Sequence, residues 1–141
     1  MTETELTHTL GRPFVLLERL QREHPEIEEK LRAAESASRQ ALVAATIHML
    51  DTMDFHHMAE QIAEGHLDTA HVPRLRSSNA LLAATPWPDP LSRLAASLRD
   101  ELARLERALI AKDAETATSA AGEVHEKEHE LSHSARDWLA S

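Results

Sequence analysis

An all-α bundle is the fold that this sequence predicts, and three observations predict it. Alanine, leucine, glutamate and arginine are abundant while the whole chain holds three glycines, a composition that suits helices and disfavours sheets. From Glu26 to Glu64 there is neither glycine nor proline. Leu91, Leu94, Leu98, Leu102, Leu105 and Leu109 recur at steps of three and four, the apolar stripe of a helix that buries one face. The 141 residues suit one domain with a modest core. The expected architecture is a four-helix bundle of up-down type, with a short first helix, a long second helix and a C-terminal αα-hairpin.

Each element has its own signals. Residues 1–11 read as a polar tail. Pro13 fits a helical first turn, where a missing N–H costs nothing, and Phe14, Leu17 and Leu20 follow at helical spacing up to His24. Pro25 opens the second helix and Gly65 stops it. As one piece that helix would be roughly 60 Å long, which outruns its partners, so a kink near Ser36-Ala37-Ser38 or a projecting N-terminal half is expected. Residues 66–88, with Pro73, Pro86 and Pro88, form a long connection or a cap, with a short helix through Leu82 and Trp87 as its anchor. Asp89 is the expected N-cap of the third helix, with Pro90 at its first position. A short turn at Lys112-Asp113 then leads into a last helix from about Ala114 to Ala140, which makes the αα-hairpin.

Composition narrows function. A net charge of −9 makes nucleic acid and anionic membranes poor partners. The absence of cysteine removes disulfides, thiolate ligands and cysteine nucleophiles. No signal-like run or membrane-spanning apolar stretch is visible in the sequence, so the expected location is cytoplasmic, an exported mature form being the alternative. The ten histidines are the outlier, against four aromatic residues.

The informative stretch is Val124-His125-Glu126-Lys127-Glu128-His129-Glu130-Leu131-Ser132-His133. At about 100° per residue, Ala117, Val124, Leu131, Ala135 and Trp138 form a core arc, with Glu128 inside it and His125 and His129 at its edge. A carboxylate within a core stripe is costly unless it is paired or bound; the plainer reading is a salt bridge to an arginine across the bundle. Extended along one continuous second helix, the arc of Val43, Ile47, Leu50 and Met58 places Asp54 at its centre and His57 near its edge. Asp54–His57 lies about 12–16 Å from the end of that helix and His125–Glu128 about 16–21 Å from the start of the last one, so the two pairs can meet. His57, His125, His129, Asp54 and Glu128 are therefore the expected metal ligands. Nitrogen and carboxylate donors without sulfur favour Zn, Fe or Mn, with Cu or Ni as further candidates. His8, His24, His66 and His71 read as solvated. His48 and His56 on the flanks of helix two are balanced between solvation and use, and Met49, Met53 and Met58 read as core filling.

His125-Glu126-Lys127-Glu128-His129 matches the H-E-x-x-H pattern of zinc peptidases. Lys127 and Glu128 stand where that helix is normally apolar. His56-x-x-x-Glu60 together with His125-x-x-x-His129 looks like the ligand spacing of hemerythrin, a four-helix bundle with a di-iron centre, although the order departs from it. A histidine in helix two followed by H-x-x-x-H in the last helix is similar to the metal triad of DinB-like bundles. These likenesses rest on a handful of residues. The expected function is metal storage, sensing or redox chemistry between helices two and four. The alternative is a metal-free interaction module or homodimer with an acidic surface, and the third reading is a metal-dependent hydrolase. No phosphate loop or serine nucleophile elbow is present.

Overall fold

A computed structural model describes residues 25–141. The expected polar tail and short first helix lie outside these residues. The described residues are helical without a strand: α1 (Pro25–Asp51), α2 (Phe55–Ala63), a 3₁₀ turn (Thr69–His71), α3 (Val72–Ala84), α4 (Asp89–Ala111) and α5 (Ala114–Ala140). The all-α bundle is thus observed. The sequence reads as one domain; the structure groups its residues as Met1–Ser38 and Arg39–Ser141. Within the first group the described part is helix, and the site lies in the second.

The long second helix is two helices. It runs unbroken through Ser36–Ser38, where a kink was expected, and ends instead at Asp51. The Thr52 hydroxyl donates to the Met49 carbonyl at 2.6 Å, a side-chain bond that competes with helix continuation. Asp54 then adopts the left-handed conformation, with φ 55° and ψ 56°. Its carboxylate accepts from the His57 N–H at 3.2 Å and so caps α2. One left-handed residue resets the helical phase, which has consequences for the site.

α2 stops where Gly65 predicts. Gly65 has φ 94°, and the His66 N–H closes back on the Gln61 carbonyl at 3.0 Å, a glycine-based helix end. Residues 66–88 are more than a connection. α3 occupies thirteen of them and buries Val72, Leu75, Ser78 and Leu82. It lies antiparallel to α4, because Arg76 pairs with Glu106 at 2.7 Å and the Arg99 Nε donates to the Asn79 Oδ1 at 2.7 Å. Trp87 anchors the following turn as expected, its indole N–H donating to the Leu82 carbonyl at 2.9 Å.

α4 begins one residue earlier than expected in its capping: Pro88 is the N-cap and Asp89 the first helical residue. Five of its six stripe leucines are buried and Leu94 packs partly against the core. Lys112, at φ 57°, closes the helix, and Asp113 caps α5 through the Thr116 N–H at 3.2 Å. On α5 the small residues Ala117, Ala120 and Ala121 are buried alongside Val124, Leu131 and Ala135. They let the α4 leucines approach closely, large side chains into small gaps. α5 packs on both α4 and α2, so its middle faces the start of α2.

Candidate functional site

The site grows from the register of α5. Val124, Glu128, Leu131 and Ala135 recur at steps of four, three and four, and all are buried. Glu128 is only 7 % exposed, as its place within the core arc requires. His125 and His129 stand one residue further round, His125 half-buried and His129 exposed. The step of four brings their rings together: the two Nε2 atoms are 3.1 Å apart and the ring centroids 4.7 Å.

The opposite wall comes from α2 and the end of α1. The His56 ring lies 5.0 Å from that of His125 between centroids, while its Nε2 contacts the Glu60 Oε1 at 2.8 Å. Asp51, the last residue of α1, is bonded by the Arg136 Nη2 at 2.6 Å. Leu50 and Phe55, both buried, supply an apolar floor. Between these groups is an open cleft of ≈ 150 Å³ that Asp54 also lines.

The electrostatics follow from this packing. Burial pushes the Glu128 carboxyl up to about 7; hydrogen bonding with Asp51 and the charge of Asp51 add to the rise, and Arg136 opposes it. The Glu128 Oε1 is buried with no hydrogen-bond partner. Such an oxygen is expensive to bury and marks a place where a proton or cation would be welcome. His125 is lowered below the ordinary imidazole value, first by burial and then by His129 and His56. It is thereby held neutral, the form that has a free ring nitrogen lone pair.

The expected residues divide in two. His125, Glu128 and His129 are brought together. Asp54, expected at the centre of a core stripe, is instead exposed and its carboxylate is engaged in the α2 cap. His57 is exposed, absent from the cleft lining, and turned to where it acts on the half-buried His71. The cause is the phase reset at Asp54: a projection carried at a constant angle through residues 52–54 turns Asp54 and His57 inward, although Met58 is buried as expected. Asp51 and His56 line the cleft beside Asp54, and His57 does not. The spacing of His56 and Glu60, four apart like His125 and His129, was the signal available for His56. Glu126, the carboxylate a peptidase motif would use, is exposed and does not line the cleft.

Among the described residues, no group of three or more His, Asp or Glu side chains is placed so that it could hold a metal ion. No described helix is long and apolar enough to cross a membrane. Comparisons with protein-family models, with curated proteins and with solved structures yield no match to this chain.

Proposed function

We propose that this chain is a metal-binding helical bundle whose ion sits in the cleft between α2 and α5. The observation that carries this reading is the 3.1 Å separation of the His125 and His129 Nε2 atoms. Two nitrogens bound to one tetrahedral ion at 2.0–2.1 Å are about 3.3 Å apart. The imidazole pair is thus close to the spacing that a shared ion imposes, and the i, i+4 geometry of α5 holds it there.

The remaining donors come from the walls. His56 is the third imidazole, and it must turn from Glu60 to join the pair; Glu60 then becomes the carboxylate that orients it, a common outer partner of metal-bound histidine. Glu128 supplies the anionic oxygen, since its buried Oε1 is otherwise unsatisfied. This reading moves the third imidazole from His57 to His56 and leaves Asp54 to its cap. A nitrogen-rich site with one carboxylate suits Zn(II), Fe(II) or Mn(II), with Cu(II) and Ni(II) as competitors. Storage, sensing or redox use all begin with that binding step.

Calorimetric titration of the apo-protein with each of these ions tests the proposal. One ion per chain at sub-micromolar affinity is expected. His125→Ala with His129→Ala should weaken binding by about 100-fold or more, the loss of inner ligands exceeding the tenfold or more typical of an outer partner. His57→Ala should leave it unchanged. Absence of sub-micromolar binding for every ion tried would end the proposal.

A further inference from the structure

α1 carries an exposed apolar face that no other described residue covers. Ile27, Leu31, Leu42 and Met49 are 41, 41, 52 and 47 % exposed. With Ile27 at zero and about 100° per residue, they fall at roughly 0°, 40°, 60° and 40°. Ala34, Ser38 and Ala45, also exposed, fall at roughly 340°, 20° and 0° by the same step. The whole stripe occupies about 80° of the helix and contains no charge. It runs from Ile27 to Met49, about 33 Å at 1.5 Å per residue. The buried residues of α1, namely Val43, Thr46, Ile47 and Leu50, project elsewhere, at roughly 100–200°. The stripe is therefore a second face, distinct from the one that enters the core. A sustained exposed apolar stripe on a long helix is the mark of a helix-pairing surface.

We infer that the occupant of this face is a second copy of the chain, paired antiparallel with Ser38 at the two-fold axis. The pattern is self-complementary only in that direction. With Ser38 opposite Ser38, Ile27 meets Met49, Leu31 meets Ala45, and Ala34 meets Leu42. Leu31 and Leu42 thus each face an alanine, and the two serines at the centre let the backbones approach. A parallel pair would stack Ala34 on Ala34 and leave Leu31 and Leu42 each facing its own copy, and would put Glu35 and Arg39 of the two copies on opposite flanks, out of each other's reach. In the antiparallel pair Glu35 and Arg39 lie together on one flank, at roughly 80° and 120°, so Glu35 of each copy faces Arg39 of the other. Neither has an ion pair among the described residues. Opposite charges flanking an apolar seam set the partner and the direction of helix pairs.

The test uses the full chain and the absence of natural cysteine. Sedimentation at micromolar to tens-of-micromolar concentration should give twice the monomer mass. Leu31→Glu with Leu42→Glu should give monomer with unchanged helicity, both residues being exposed. Glu35→Arg or Arg39→Glu alone should weaken the dimer about tenfold, and the two together should restore it. Under oxidation Ser38→Cys should cross-link into a dimer, while Ser36→Cys, on the opposite side of α1, should not. A monomer at every concentration, the outcome if residues 1–24 or an unrelated protein covers the face, overturns the inference. So does a dimer that the glutamate pair leaves intact.

Discussion

Glu128 is the residue where fold and chemistry conflict most directly. Its carboxyl is raised from the ordinary carboxylate value of 4.5 to about 7, chiefly by burial. The folded state therefore holds the proton more tightly than the unfolded chain does. The stability that goes with the protonated form is complete below about 4.5 and is lost as pH rises through about 7. Glu128→Gln keeps the shape and cannot ionise. It should leave the ion-free protein about as stable as the parent at pH 5 and more stable at pH 8, by about 1 kcal/mol or more, as urea denaturation at the two pH values will read. The same variant should weaken metal binding, so a gain in stability and a loss of affinity go together. His125 has the opposite sign. Burial lowers it from 6.5, so its contribution is complete above 6.5 and is lost as pH falls below that value. Ion-free protein should accordingly lose stability toward acid through His125 and toward alkali through Glu128; His125→Phe should remove the first loss while the second remains.

At the scale of the element, helix ends decide where side chains point. Lys112 closes α4 in the left-handed region at φ 57°, where a side chain is strained and glycine is not. Its ammonium donates to the Leu67 carbonyl at 2.9 Å in an exposed setting, a bond of small net worth. Lys112→Gly should therefore stabilise the protein by about 0.5–1 kcal/mol, measured by chemical denaturation. Asp54, also left-handed, differs because its carboxylate caps α2. Asp54→Ala keeps the strain and removes the cap, and should cost about 1 kcal/mol, whereas Asp54→Asn should be nearly neutral. The extent of α5, the stripe of α4 and the stop at Gly65 were legible because each is a local signal: a cap, a spacing or a glycine. The break at Thr52–Asp54 was not, since Thr and Asp also occur inside helices and neither glycine nor proline marks the stop. Missing that one turn placed His57, rather than His56, among the residues expected to face the cleft.

At the scale of the whole molecule, a ligand that binds only the folded chain stabilises it by mass action. Zn(II) at 100-fold above its dissociation constant should add about 2.7 kcal/mol, seen as a higher melting temperature, and this gain should vanish when His125 and His129 are both alanine. The core that supports the site is continuous across α1 to α5 within residues 39–141. Leu102→Ala, at a fully buried position between helices, should cost about 2–5 kcal/mol, read from chemical denaturation. By itself the sequence determined the all-α class, the C-terminal hairpin and the placing of His125, Glu128 and His129 on one side of α5, because composition and helical periodicity act over a few residues. Only the tertiary structure decided which residues of the earlier segment stand across from them. That choice rests on one left-handed turn and on the packing of α2 against α5, and neither leaves a periodic trace in the chain.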